Sequence, residues 1–316
     1  MIKSLALKTL SLPFTVLAAI GLAACSKKLS NEEINQLYQN PLPPVTSPLT
    51  VYHLGHSLVG KDMPAMLSQL AGEGHSYHSQ LGWGATLQSH WEPDIPVNGF
   101  ESENKHKEYR DPFEAIGSGK YDAFVMTEMV EIDAAVKYFK SSQYLAKFAG
   151  KVKEASPKTT IYFYETWHEV TDSAGWINRL DKDLGKYWEK AILHKALAKL
   201  DGQVSIYMIP AGQVLSAFFK EVERRGGVGN INKPEDIFAR KEEDGSLDPI
   251  HINDMGNYLI ALVHYATLYR KSPEGLSYEL KKADGSNAIA PSAEAAALMQ
   301  EITWKVVKGY TKTGVN

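Results

Sequence analysis

From residue 49 onward, two kinds of apolar segment alternate along the chain. Short runs, most of them rich in β-branched and aromatic residues and apolar on both faces at their centres, fall at about 49–54, 76–81, 121–127, 159–166 and 204–209. That is the pattern of buried parallel strands, and the run at 76–81 is the least pronounced. Between and after them lie segments with helical spacing, at about 61–72, 133–154, 179–200, 211–225, 254–270 and 291–309. In 254–270, Tyr258, Leu259, Leu262, Val263 and Ala266 form one apolar face, and Asn253 or Asp254 is placed to cap its start. The alternation predicts an α/β fold, a five-stranded, mainly parallel sheet in a single domain over 49–316.

Two stretches break the alternation. Residues 83–120 are long and polar and read as a loop over the active edge of the sheet. Residues 226–250 begin Gly226-Gly227-Val228-Gly229. No strand–turn–helix with Lys-Ser or Lys-Thr follows, so this reads as a flexible loop and not as a phosphate cradle. Ser272-Pro273-Glu274-Gly275 reads as plain helix termination.

The N-terminus has a different pattern. Lys3 and Lys8 precede an apolar stretch from Leu10 to Ala24, the layout of an export signal and too short to span a bilayer comfortably. The stretch ends in Leu22-Ala23-Ala24-Cys25, and Cys25 is the only cysteine. These four residues resemble the lipobox of bacterial lipoproteins. The resemblance implies a signal peptide over 1–24, cleavage before Cys25, lipidation of its sulfur, and anchorage to the cell envelope by several acyl chains. Ser26 follows where an Asp would favour inner-membrane retention, so the outer membrane is the favoured location. Residues 25–48, with Pro41, Pro43, Pro44 and Pro48 at the far end, read as a semi-rigid extended tether.

Composition narrows the function. The chain has 316 residues, Lys+Arg 34 against Asp+Glu 37, and a net charge of −3, which excludes a nucleic-acid partner. One cysteine excludes an intrachain disulfide and a Cys-cluster zinc site. The pairs His53/His56 and His75/His78 have His-x-x-His spacing, but on strands or loops this spacing does not put both rings on one face, and no third ligand is evident. No metal or other cofactor is expected. His264 reads as packed or exposed without a role.

In open α/β sheets ligands sit beyond the carboxyl ends of the strands. The first strand there runs into Leu54-Gly55-His56-Ser57-Leu58. A Ser at such a turn offers its hydroxyl and its backbone N–H at the top of the sheet. A lone Gly-x-Ser equally fits a Ser capping the next helix. Far downstream, Asp248-Pro249-Ile250-His251 places a carboxylate three residues before an imidazole on a turn that Pro249 fixes. Asp248 is placed to orient His251, and His251 to take a proton from Ser57. A lone Asp-x-x-His equally fits a structural turn.

Together these motifs resemble the SGNH (GDSL-type) hydrolase superfamily over roughly residues 49–275. Gly55-His56-Ser57-Leu58 matches its first block, Gly84 in Trp83-Gly84-Ala85-Thr86 its second, and Asp248 with His251 its last. The resemblance implies a flavodoxin-like three-layer α/β/α fold and metal-free ester hydrolysis through a seryl acyl-enzyme. It implies Ser57, Asp248 and His251 as the catalytic triad, and the N–H groups of Ser57 and Gly84 as the oxyanion hole. Two positions depart from the family pattern. His56 replaces the usual Asp or Asn and is expected to act in packing and turn formation. The third block, which normally supplies an Asn donor, is here Val125-Met126-Thr127-Glu128-Met129. Thr127 is the expected substitute donor, whereas an ionised Glu128 would repel an oxyanion. Trp91, Trp167 and Gln213 follow strands and are expected to hold substrate, the two indoles as platforms for sugar rings, although both also suit core packing.

The expected activity is therefore a lipid-anchored serine esterase acting on acyl esters, acetyl above all, of a carbohydrate or small molecule. The missing Asn motivates another class, a catalytically silent lipoprotein that binds glycan or assists polymer export. A peptidase or thioesterase on the same scaffold is a further option.

Overall fold

The computed structural model describes residues 28–316, so the expected signal segment and Cys25 lie outside the described residues. The central sheet has five strands, β1 (Thr50–His56), β2 (Ser76–Gly82), β3 (Ala123–Thr127), β4 (Thr160–Glu165) and β5 (Ile206–Pro210). All pair in parallel, in the order β2-β1-β3-β4-β5. This is the flavodoxin-like order, which switches direction beside β1. β3 and β5 are buried along their whole length, as their continuous apolar sequence requires.

The helices are α1 (Asn31–Gln36), α2 (Asp62–Ala71), α3 (Leu87–Trp91), α4 (Phe100–Asn104), α5 (Pro112–Ser118), α6 (Ile132–Tyr138), α7 (Ser141–Ala155), α8 (Trp176–Asp183), α9 (His194–Lys199), α10 (Ala211–Arg225), α11 (Asp254–Tyr269) and α12 (Ala293–Gly309). A π-helical segment, Leu184–Leu193, joins α8 to α9. One layer sets α2, α11, α12 and α10 side by side, and the other sets α3, α5 and α9 around α7. Phe148 of α7 stacks on Phe124 of β3, and His264 of α11 packs edge-on against Tyr164 of β4. The sheet is thus covered on both faces, giving the three-layer α/β/α fold.

Four segments differ from the sequence pattern. The predicted 133–154 helix is two helices, divided at Lys140, whose φ is 51°. Residues 83–120 contain three helices of five to seven residues, too short to show a 3.6-residue stripe. Val228 and Ile231 are buried and paired with each other, so the glycine-rich stretch is anchored. Residues 28–48 are strapped to the body. Ser30 and Glu33 form a capping box for α1, Leu29, Ile34 and Tyr38 are buried, and the Tyr38 hydroxyl donates to the Ile206 carbonyl at 2.8 Å. Arg270 holds the Pro43 carbonyl. The proline content masked this docking, which depends on three apolar side chains spaced four to five residues apart.

The core contains an unusual set of ionisable groups. Burial holds His56, His75, His90 and His264 near 4, and His53 well below its usual range. Burial also raises Glu128 to about 7 and Glu165 to about 8. The unfolded histidines take up protons near 6.5 and the folded ones refuse them, so these groups remove stability as pH falls below about 6.5. The two glutamic acids keep their protons in the folded state, so their contribution is full below about 4.5 and is lost as pH rises to 7–8. Five histidines outweigh two glutamic acids on the acid side. Thermal unfolding followed by circular dichroism between pH 5 and 8.5 is therefore expected to give a maximum near pH 6.5. A melting temperature that climbs without a break to pH 8.5 contradicts this balance.

Candidate active site

The ends of β1, β2, β3 and β4 converge on one cleft of about 320 Å³, lined by Ser57, Gly84, Glu131, Glu169, Ile250 and His251 among others. It lies at the switch point of the sheet, where ligands of such folds bind.

Ser57 occupies the turn after β1, and this turn is held from several sides. The Leu58 N–H donates to His56 Nδ1 at 3.3 Å, which leaves Nε2–H to donate to the Glu128 carbonyl at 2.8 Å. His90 contacts the Gly55 carbonyl through Nε2 at 2.8 Å and is itself held by Gln80 at 2.9 Å. The Tyr164 hydroxyl donates to the Leu58 carbonyl at 3.1 Å. His56, read from the sequence as a turn and packing residue, thus ties the end of β1 to the end of β3. Ser57 does not cap α2, whose N-cap is Lys61.

Asp248 and His251 do not lie on an isolated turn. They belong to β7 (Leu247–Ile252), paired antiparallel with β6 (Phe238–Arg240). Asp248 Oδ1 accepts the N–H groups of Ile250 and His251, each at 3.0 Å, and Oδ2 lies 2.8 Å from His251 Nδ1. Burial raises the Asp248 carboxyl, but the His251 N–H, its ring and the Ile250 N–H outweigh this and hold it below the usual carboxylate range. An ionised carboxylate only accepts, so Nδ1 carries the imidazole proton and Nε2 is free to accept. His251 Nε2 lies 2.9 Å from Ser57 Oγ. Hydroxyl, imidazole and carboxylate therefore form one continuous hydrogen-bonded chain.

The N–H groups of Ser57 and Gly84 donate to no other group among the described residues. Gly84 has φ of +56°, a backbone conformation that a side chain would strain, and a Cβ there would meet nothing within 4 Å. Backbone conformation, not space, therefore calls for glycine. Thr127 does not serve as a further donor. It is fully buried, and its hydroxyl donates to the Tyr164 carbonyl at 2.8 Å, so its hydrogen is already committed. Glu128 is also fully buried, with Oε1 accepting from the N–H groups of Met129 at 2.9 Å and Leu87 at 3.3 Å. Its carboxyl, raised to about 7 by burial, supports loops behind the cleft.

The three residues expected to hold substrate lie elsewhere. Trp167 is buried, and its Nε1–H donates to the Ile250 carbonyl at 2.8 Å. With the Val170 N–H on the Pro249 carbonyl at 2.8 Å, it clamps the Asp248–His251 segment from behind. Trp91 packs edge-on against Phe113 and Phe148. Gln213 donates to Glu165 at 2.7 Å and to the Leu180 carbonyl at 2.8 Å, facing a separate cavity beside α12. A position after a strand does not specify which side of the strand end a residue faces. The structure places Trp83, Glu131 and Glu169 in the cleft instead. Trp83 was visible in the sequence only as the neighbour of Gly84.

The His-x-x-His pairs are accounted for separately. His53 faces His264 inside the core, His75 contacts the Tyr269 hydroxyl at 2.8 Å, and His78 contacts Tyr121 at 3.0 Å. Among the described residues, no three or more His, Cys, Asp or Glu side chains form a group able to hold a metal ion.

No family model and no curated protein matches the chain. Among solved structures it is similar to a GDSL-like lipase from Parabacteroides merdae, at 12% identity and a TM-score of 0.43, over 72% of this chain and 99% of the other. It is also similar to a carbohydrate esterase family 2 enzyme with a carbohydrate-binding domain from Corynascus thermopiles (Myceliophthora fergusii), at 12% identity and a TM-score of 0.32, over 54% and 59%. A third is a gut microbial diltiazem-metabolizing enzyme, at 11% identity and a TM-score of 0.37, over 71% and 47%. At these values the functional reading rests on the site itself.

The clamp on β7 has a measurable consequence. Trp167→Phe keeps an aromatic ring but removes the N–H that holds Ile250, together with part of the buried indole. It is expected to cost about 1 kcal/mol of stability and to lower kcat by about tenfold, because a small displacement of His251 is costly. Chemical denaturation and ester turnover measured on the same preparation check this. An unchanged kcat shows that the clamp does not position His251.

Proposed function

We propose that this chain is a serine ester hydrolase of the SGNH type that acts on short acyl esters, acetyl above all, of a carbohydrate or small molecule. The observation that carries this reading is the Ser57–His251–Asp248 chain at 2.9 and 2.8 Å, at the mouth of the cleft. Ser57 Oγ attacks the ester carbonyl carbon while His251 Nε2 takes its proton. The carbonyl oxygen becomes an oxyanion and meets the free N–H groups of Ser57 and Gly84. The carbon–oxygen bond to the alcohol then breaks, and His251 returns the proton to the leaving oxygen. Water adds to the acyl-serine by the same route and releases the acid. Asp248 holds the ring in the required tautomer and balances its charge while it is protonated.

Two backbone donors make a smaller oxyanion hole than one with an additional Asn. One missing donor costs about 3 kcal/mol of transition-state stabilisation, which slows this chemistry without abolishing it. The spent Thr127 hydroxyl favours the second reading, a silent binding protein using the same cleft, to that extent only.

The envelope location is part of the proposal and rests on Leu22-Ala23-Ala24-Cys25. Among the described residues no helix is long and apolar enough to cross a membrane. Cys25→Ser is expected to move the protein from the membrane pellet to the soluble fraction and to abolish incorporation of labelled palmitate. Retention in the pellet with an unlabelled chain contradicts lipid anchorage.

For the chemistry, Ser57→Ala and His251→Ala are each expected to lower the turnover of p-nitrophenyl acetate about a thousandfold or more with the melting curve unchanged. Turnover by either variant at the wild-type rate refutes the assignment.

A further inference from the structure

The cleft contains one large apolar side chain that the triad chemistry does not use. Trp83 is 56% exposed, an unusual state for an indole, and it lines the cleft next to Gly84. It is nonetheless fixed in place. Its Nε1–H donates to Glu103 at 2.8 Å, and its backbone N–H donates to the Asn98 carbonyl at 2.7 Å. Gly99, with φ of +67°, lies so close beneath the ring that a Cβ there would be 2.3–2.6 Å from Cδ2, Cε2 and Cγ of the indole. Only glycine lets the backbone pass flat against the ring. One ring face rests on Gly99, while the side chain remains more than half exposed at the edge of the cleft that Trp83 lines.

The remaining wall defines the partner chemistry. No lysine or arginine lines the cleft. Glu131 is ion-paired with Arg179 at 2.7 Å, a guanidinium it shares with Asp172 and Asp183, whereas the exposed Glu169 carboxylate has no partner among the described residues. A volume of about 320 Å³ is at the small end for ligand sites and suits a single ring with a short acyl group.

Building on the ester-hydrolase reading, we propose that Trp83 is a preorganised stacking platform for the alcohol portion of the ester, and that this alcohol is a neutral monosaccharide. A pyranose has a flat C–H face to lay on the indole and hydroxyls that donate to Glu169. Because the ring is held in advance, stacking costs little side-chain entropy. An anionic sugar would face Glu131 and Glu169 with no lysine or arginine in the lining to pair with. A cationic alcohol would favour an indole flanked by two free carboxylates, and here only one is free.

The test separates binding from turnover. Methyl glucosides carrying one acetyl group at O2, O3, O4 or O6, and acetylcholine as the cationic competitor, are titrated calorimetrically into Ser57→Ala. The titrations are repeated in Ser57→Ala/Trp83→Ala and Ser57→Ala/Trp83→Phe, with melting curves to confirm folding. At least one acetylated glucoside is expected to bind Ser57→Ala at least tenfold tighter than acetylcholine. Trp83→Ala is expected to weaken that glucoside tenfold or more, and Trp83→Phe about threefold. If the alanine variant does not fold, the phenylalanine variant decides alone. Absence of glucoside binding, a dissociation constant indifferent to Trp83, or tighter binding of acetylcholine overturns the proposal. Release of acetate from ethyl acetate by the wild-type protein is read in parallel. Turnover without sugar binding removes the platform and leaves the hydrolase. Sugar binding that depends on Trp83, without turnover, removes the hydrolase and leaves the platform.

Discussion

A single hydrogen bond, Ser57 Oγ to His251 Nε2 at 2.9 Å, joins positions 194 residues apart, and much of the molecule is arranged to hold its two ends still. One end sits on a parallel sheet buried on both faces, in a turn fixed by His56, His90 and Tyr164. The other sits on a short antiparallel strand that would be mobile by itself. The Trp167 and Val170 contacts attach that strand to the segment after β4. Proton transfer between heavy atoms requires both ends to be placed within a few tenths of an ångström. The buried polar groups around the turn, which cost stability in isolation, are the means of that placement.

Much of this was legible in the sequence. Strands buried on both faces leave continuous apolar runs, so the central strands were found close to their observed limits, while the edge strand β2, partly exposed, left only a faint one. The meeting of Ser57, His251 and Asp248 was legible because a Ser at the end of the first strand and an Asp-x-x-His before an amphipathic helix have few reasons to occur together at strand ends. The lining of the cleft was not legible. Trp91, Trp167 and Gln213 follow strands as expected, yet each points into packing, because sequence gives the end of a strand and not the direction of the side chain beyond it. Trp83 is marked by its close approach to Gly99, a contact between residues sixteen apart that no periodicity encodes.

The end of β3 shows how fold and the proposed chemistry limit each other. β3 ends in a threonine whose hydroxyl is used to hold β4, and then in a buried glutamic acid whose carboxyl anchors neighbouring loops. Both polar side chains serve the scaffold, so the proposed chemistry leaves only the backbone of Ser57 and Gly84 to meet developing charge. Burial raises the Glu128 carboxyl to about 7, which limits the negative potential behind the cleft.

The most direct test of the account is intact-protein mass spectrometry after brief exposure of the folded protein to a fluorophosphonate. A nucleophilic Ser57 predicts one phosphonyl adduct per chain, located by peptide mapping at Ser57 and formed about a hundredfold more slowly in His251→Ala. A folded protein without an adduct at Ser57, or labelling at the same rate without the imidazole, would show that the 2.9 Å contact activates nothing.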